Sequence, residues 1–291
     1  MAKKTYRVLS LDYDYFQKVS VETMQMCYPD GLDAPSSLSA MIWSTHYANR
    51  DTEKALNEVS INQDEIELCK KILTSVSLAT DRSAPILIAN SHRHIYDFIT
   101  DRMDESGCTR LALTNADMHH DMFNNNEALD CGNWVKHITE KYPTNFRWIA
   151  NKVSAEMYGF DDEQSEYKGA LQKLVGTTLA DANDMPYDAV FLCRSNQWLP
   201  PHLDDEFGKL VDFIKDHFEN VMVERDIMKP REYIEAALQH REFMEKSMQE
   251  FQNRHAHTGQ TQESTQSVTE EADGFDDNTD TEIENSNVSL D

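Results

Sequence analysis

Short apolar runs that break off abruptly into Asp, His or amide side chains constrain this chain most. Pro85–Ala89, Thr109–Thr114 and Asp188–Cys193 are brief and nearly continuous in apolar residues, the pattern of strands buried on both faces. Asn145–Ala150, with Phe-Arg-Trp-Ile at its centre, reads as another strand, and Tyr6–Phe16 alternates. On that first segment Val8, Ser10, Asp12 and Asp14 fall on one face and Leu9, Leu11, Tyr13 and Tyr15 on the other. Between the runs the period changes. Gln63–Val76 carries Ile66, Cys69, Ile72, Leu73 and Val76 at helical spacing. Further helices are expected over Ile95–Met103, from Asn133-Trp134 to Pro143, near Ala170–Leu174, and over Phe207–Phe218 and Arg231–Phe251. Strands alternating with helices predict an α/β fold, a three-layer α/β/α sandwich with a mostly parallel sheet.

Turn signals at Pro29-Asp30-Gly31 and Pro35-Ser36-Ser37 precede a helix through Leu38, Met41, Ile42 and Tyr47, with Ser36 or Ser37 as its cap. Asn124-Asn125-Asn126 reads as a loop, and residues 151–185 as largely irregular. From Gln252 onward Gln, Ser, Thr, Asn, Asp and Glu dominate, and such a segment buries too little apolar area to offset its ordering entropy. The expected organisation is one domain over residues 1–251 and a disordered acidic tail over 252–291. The tail accounts for part of the net charge of −25: after Arg254 there are ten acids and no Lys or Arg. The remainder still carries 42 acids against 27 bases, or −15, which disfavours nucleic acid and anionic membrane as partners. Five cysteines stand singly, without a Cys-x-x-Cys pair, as reduced thiols in a cytoplasm do. No apolar run is long enough to span a membrane, so a cytoplasmic location is expected, and a homo-oligomer is allowed.

The residues that end the apolar runs carry the chemistry. Thr109–Thr114 leads into Asp117, His119 and Asp121. On an extended backbone rising about 3.3 Å per residue these three point to one side, about 6.6 Å apart. The first strand ends in Asp12 and Asp14, and Pro85–Ala89 leads into His92 and His94. For Asp12 and Asp14 the competing expectation is a turn or cap in which each carboxylate accepts from backbone amides. Parallel strands of an open sheet end on one side, so Asp12, Asp14, His92, Asp117, His119 and Asp121 can meet in a single crevice. Four carboxylates and two imidazoles suffice for two divalent metals with bridging aspartates. The oxygen-rich set without cysteine favours Mn²⁺, with Fe²⁺, Co²⁺ and Zn²⁺ as alternatives.

These motifs resemble the arginase/deacetylase superfamily of dinuclear manganese hydrolases. There a Gly-Gly-Asp-His, an Asp-x-His-x-Asp and a Ser-x-Asp-x-Asp segment hold the metals. Ser10-Leu-Asp12-Tyr-Asp14 matches the third, Asp117-Met-His119-His-Asp121 the second, and His92 the first without its glycines. The likeness is nearest to the arginase-related branch that begins with a Leu-Asp-x-Asp-Tyr/Phe-Phe strand and includes the peptide arginases. Asn133-Trp134 and Ser195–Pro201 also look like that branch. Here the Ser-x-Asp-x-Asp strand comes first, whereas ordinary arginases place it last, a permutation that a sheet tolerates. The resemblance implies an arginase-like fold, two Mn²⁺, and conversion of arginine side chains to ornithine in a ribosomally made precursor peptide. No segment matches those that grip the α-amino and α-carboxylate groups of free arginine, which favours a peptide.

In that reading a hydroxide attacks the guanidinium carbon, with Asp14 or Asp121 accepting its hydrogen bond and His120 or His94 protonating the leaving amine. The loop after Asp188–Cys193 offers Arg194, Ser195, Asn196 and Trp198 as substrate contacts. Two alternatives stand beside it. One is a small-molecule amidino or guanidino hydrolase, or a deacetylase, on the same scaffold. The other is a non-catalytic module whose acidic groups hold a cationic partner.

Overall fold

A computed structural model of the chain describes residues 4–29, 34–75, 83–123, 127–160, 162, 165, 175–176, 178–184, 187–225, 227 and 229–262. In chain order its strands are β1 (Thr5–Asp12), β2 (Gln17–Lys18), β3 (Ser60–Ile61), β4 (Ile86–Ala89), β5 (Arg110–Asp117), β6 (Thr144–Ala150), β7 (Val175–Gly176), β8 (Ala189–Cys193) and β9 (Val221–Val223). The helices are α1 (Val21–Cys27), α2 (Ser36–Ala48), α3 (Arg50–Asn57), α4 (Gln63–Thr74), α5 (Ile95–Ser106), α6 (Trp134–Lys141), α7 (Lys152–Met157), α8 (Asp204–His217) and α9 (Ile234–Gln262). Seven strands form one sheet in the order β7-β6-β5-β1-β8-β4-β9, and every pairing described in it is parallel. β2 and β3 make a separate antiparallel pair.

Burial explains why the short runs were legible as strands. Leu9, Leu11, Val190, Leu192, Ile86 and Ile88 pack on one face of the sheet with α4 and α8. Val8, Leu111, Leu113, Ala189 and Phe191 pack on the other with α5 and α6. Both faces are therefore covered, and the fold is the expected three-layer α/β/α sandwich. α4 turns Ile66, Cys69, Ile72 and Leu73 inward, and α5 ends at Gly107, whose φ of 63° supplies the left-handed residue that closes a helix.

Several boundaries differ from the sequence reading, each for a local reason. β1 stops at Asp12, because the Asp12 carboxylate accepts the Asp14 N–H and turns Tyr13–Phe16 into a 3-10 turn. β5 stops at Asp117, and the chain then bends to Asp121, whose φ is 52°. The i, i+2, i+4 alternation on an extended strand thus does not hold for Asp117, His119 and Asp121. Pro35, not Ser36 or Ser37, occupies the cap of α2, without a side-chain cap bond. α1, α3, α7, β2, β3, β7 and β9 have no counterpart among the elements expected from the sequence. α9 begins at Ile234 and runs past Phe251 to Gln262. The Pro29-Asp30-Gly31 turn, the 124–126 loop, the end of the Gln63–Val76 helix, the Ala170–Leu174 helix and residues 263–291 of the acidic tail lie wholly or partly outside the described residues. The chain divides into two units between Phe243 and Met244, and the second contains the later turns of α9. No described helix is long and apolar enough to cross a membrane.

Candidate metal centre

The order β5-β1-β8-β4 sets the ends of four neighbouring strands side by side at the middle of the sheet. From β1 the chain goes to strands on both sides, which opens a crevice at the strand ends. Asp12 ends β1 opposite Cys193 of β8, and Asp117 ends β5. His92 stands three residues beyond β4, in a 3-10 turn that Ser91 caps through the Arg93 N–H. All six expected ligands are buried.

Five of them form two sets of three, Asp12, His92 and Asp117, and Asp14, Asp117 and His119, each with its ligand atoms within 4.8 Å of one another, and Asp121, expected as a sixth ligand, belongs to neither. Asp117 belongs to both. In the first set His92 Nδ1 stands 3.1 Å from Asp12 Oδ2 and 3.2 Å from Asp117 Oδ2. Asp121 Oδ2 lies 3.0 Å from the same nitrogen. In the second, His119 Nδ1 is 3.0 Å from Asp14 Oδ2 and 3.6 Å from Asp117 Oδ1.

Each carboxylate is also tied to the protein. Asp12 Oδ1 accepts the Asp14 N–H at 3.3 Å, and Asp14 Oδ1 the Met118 N–H at 3.2 Å. Asp117 accepts from the His119 N–H at 2.7 Å and from Asn115 Nδ2 at 3.0 Å. Asp121 Oδ2 accepts Trp134 Nε1–H at 2.5 Å. Behind His92, Ser10 Oγ bonds Nε2 at 2.7 Å, and Phe191 stacks on the ring at 5.6 Å. Such outer partners fix the tautomer and aim of a ligand.

The electrostatics mark this cluster as short of positive charge. Burial pushes the Asp12, Asp14 and Asp121 carboxyls up, and neighbouring aspartates add to it; Asp121 reaches about 7. Burial acts the same way on Asp117, but hydrogen bonds with His119 and His92 outweigh it and hold that group below the usual carboxylate range. Burial lowers both imidazoles, yet the carboxylates against them lift His92 and His119 well above the ordinary histidine value. Asp14 Oδ2 and His92 Nδ1 are buried and form no well-aligned hydrogen bond; His119 Nδ1 stands 3.0 Å from the first, and the Asp12, Asp117 and Asp121 carboxylates 3.0–3.2 Å from the second. Lone-pair atoms packed against one another in this way fit a bound divalent cation.

A cavity of about 160 Å³ opens over the cluster, lined by Asp12, His92, His119, Asp121, Phe123, Asp130, Cys131, Gly132, Ser195 and Trp198. Asp121 and Ser195, the non-glycine residues with positive φ among those described, are both in this lining. Left-handed backbone at two lining residues is local strain that the surrounding packing holds.

Four expected contacts stand elsewhere. His94 pairs with Glu224 at the protein surface. His120 packs between Phe123, Trp148 and Tyr158, and its Nδ1 accepts the Met122 N–H. Burial, with the neighbouring His119, lowers His120 to about 4. Arg194 spends its guanidinium on Asn196 Oδ1, the Ile227 and Lys229 carbonyls and Ser36. Asn196 directs its side chain to Arg194, Ala34 and Ser36. Of the loop residues expected at a substrate, only Ser195 and Trp198 line the cavity. Phe123, Asp130, Cys131 and Gly132 were missed, since a turn between a ligand and the next helix carries no periodic signal. Trp134 could have been found as the first residue of an expected helix close behind Asp121, and Ser10 as the first residue of its motif.

Compared with known proteins, the chain matches no family model, no curated protein and no solved structure.

Proposed function

We propose that this chain is a dinuclear, manganese-dependent hydrolase of guanidino groups, converting arginine side chains in a precursor peptide to ornithine with release of urea. One observation carries the reading: two buried three-residue ligand sets share Asp117 at the strand ends. The likeness of the Ser10–Asp14 and Asp117–Asp121 segments to the arginase/deacetylase superfamily supports it. Asp12, His92 and Asp117 would hold one ion and Asp14, Asp117 and His119 the other. Bound there, the ions would acidify a water molecule and so supply hydroxide at neutral pH.

The chain's own groups do the rest. Attack of hydroxide on the guanidinium carbon breaks the bond to the side-chain nitrogen, leaving a primary ammonium and urea, with one water consumed and charge conserved. Asp121 lies in the cavity lining and outside both ligand sets. It takes the proton of the nucleophile and returns it to the leaving nitrogen, the two tasks one carboxyl group can perform in turn. His120 and His94 do not line the cavity, so neither is assigned this proton. Phe123 and Trp198 give the cavity an aromatic lining, which suits a planar cation.

The test is incubation with Mn²⁺ and arginine-containing peptides, beside free arginine and agmatine. A loss of about 42 mass units per arginine is expected, the carbodiimide unit lost as urea forms, with two metals per chain by elemental mass spectrometry. One metal per chain with amide hydrolysis would replace the reading by a deacetylase. No bound metal and no reaction would replace it by an acidic binding module.

A further inference from the structure

Trp134 is the first residue of α6 and is fully buried. Its ring packs in the core on the α5 and α6 side of the sheet, in one cluster with Val135, Ile138 and Trp148. The same ring reaches the strand ends. Nε1–H donates to Asp121 Oδ2 at 2.5 Å, and the ring is centred 4.9 Å from that of His92. A second tie comes from the next residue, whose N–H donates to the Asp121 carbonyl at 3.1 Å. The first turn of α6 thus grips Asp121 by side chain and main chain together.

Two features show that this grip does more than satisfy a buried indole. Asp121 holds a φ of 52°, left-handed backbone that is costly outside glycine and persists only where surrounding contacts enforce it. Its Oδ2 also comes as near to His92 Nδ1, at 3.0 Å, as Asp12 and Asp117 do at 3.1 and 3.2 Å. Yet Asp121 joins neither ligand set and stands in the cavity lining. A carboxylate that close to a candidate ligand needs something to hold it aside, and the indole N–H is the buried donor on it.

We propose that Trp134 is a positioning residue that keeps the Asp121 carboxylate aimed into the cavity as the proton carrier instead of letting it turn onto a metal. The role of Trp134 rests on the proton transfer given to Asp121 in the proposed hydrolase. A general base works only within hydrogen-bond reach of its proton. A rotamer locked by a core-anchored partner meets that demand without reorganising.

The experiment measures turnover of an arginine-containing peptide and Mn²⁺ affinity in the full chain carrying Trp134→Phe, Asp121→Asn or both. Trp134→Phe is expected to lower kcat about 10–100-fold, the scale for losing an outer partner, while KM stays within about twofold. Both Mn²⁺ affinities should stay within about threefold, well short of the loss that follows when a ligand's partner is removed. The double variant should be no more than about twofold slower than Asp121→Asn alone, because the indole acts through that carboxylate. An unchanged kcat, a loss carried by KM, or losses that multiply in the double variant overturns the proposal. So does a fall in Mn²⁺ affinity of about tenfold or more, which would make Asp121 a ligand and Trp134 a ligand's partner. If Trp134→Phe does not fold, benzothienylalanine at position 134 carries the test, since it keeps both rings and replaces the N–H by sulfur. An unchanged chain that hydrolyses nothing would sink the hydrolase reading and the role of Trp134 together. Hydrolysis untouched by the loss of the indole N–H would sink the role of Trp134 alone.

Discussion

At the start of α8, Asp204 is buried against Arg231, whose backbone N–H, Nε and Nη2 donate to it at 2.7, 3.0 and 2.7 Å. The remaining Arg231 donors go to Ser39 and to the Asn196 and Leu199 carbonyls. One carboxylate thus meets a full guanidinium, with the Arg194 guanidinium 3.6 Å from it as a second positive group. At the strand ends in the middle of the sheet Asp12, Asp14, Asp117 and Asp121 share two imidazoles, and several buried atoms form no well-aligned hydrogen bond. A buried carboxylate matched within the chain is architecture. A buried group of carboxylates with too little positive charge has the composition of a site awaiting a cation. Arg231 does serve the centre at one remove: with Gln17 Nε2, which donates to the Trp198 carbonyl at 2.7 Å, it pins the loop that carries Ser195 and Trp198.

Substitution should separate the two regions sharply. Asp117→Ala removes the ligand common to both sets, so metal content should fall below one per chain and turnover should drop by well over ~100-fold, the upper range for losing a mere outer partner. Metal analysis and peptide mass spectrometry check it; two metals retained would end the bridging role. Arg231→Met should leave metal stoichiometry at two but strip Asp204 of its hydrogen-bonded guanidinium, leaving Arg194 at 3.6 Å as its counter-ion and costing about 3 kcal/mol in urea unfolding, the lower end for a broken buried pair. Asp14→Asn supplies the contrast. Its raised carboxyl means the ionised form burdens the metal-free fold, so the neutral isostere should cost no stability without metal and yet abolish the second metal.

The pH response should have opposite signs with and without metal. In the metal-free protein Asp12, Asp14 and Asp121 have raised values, so above the unfolded carboxylate pKa each increasingly penalises the fold, for Asp121 until about pH 7. His92 and His119 are raised as well; their contribution is complete below the unfolded histidine pKa and is lost as pH climbs through the folded one. Asp117 runs the other way, contributing above the unfolded carboxylate pKa and losing its contribution as pH falls. From pH 5 to 8 the melting temperature in chelator should therefore decline by several degrees. With Mn²⁺ it should rise, because ligation displaces those protons. Parallel curves in chelator and Mn²⁺ would show that these groups hold no metal.

The sequence disclosed the sheet where burial on both faces leaves a dense apolar signature, as at Ile86–Ala89 and Ala189–Cys193. It could not disclose Val175–Gly176 or Val221–Val223, which are too short for a period to develop. The six candidate residues are legible from residue type and position after a strand, and the structure brings five of them into the two candidate sets, but the backbone that aims them is not legible. At Asp12 and Asp14 capping does not compete with metal holding, because each carboxylate uses one oxygen for a backbone amide and turns the other toward the candidate sets. The left-handed turn at Asp121 and the pairing of Asp204 with Arg231 depend on tertiary context that no local window contains. The same is true of Arg194, a substrate contact expected from the sequence whose donors go to nearby Asn196 and, far along the chain, to Ser36 and the Ile227 and Lys229 carbonyls.

The smallest effect tests how far the centre depends on partners behind its ligands. Ser10 sits two residues before Asp12 on the same strand face, and its hydroxyl meets His92 Nε2 at 2.7 Å while Nδ1 faces the carboxylates. That contact fixes which nitrogen is presented and how the ring is turned. Ser10→Ala should keep the fold, since the Phe191 stack and the Trp134 ring, 4.9 Å away, still hold the imidazole. It should weaken metal affinity by about 10–100-fold, the cost of releasing a ligand's outer partner. The loss should fall on one ion of the pair, because His119 has no contact with Ser10. Competition titration with a chelating dye resolves the two sites. Equal weakening of both ions, or none, would show that the hydroxyl does not position His92.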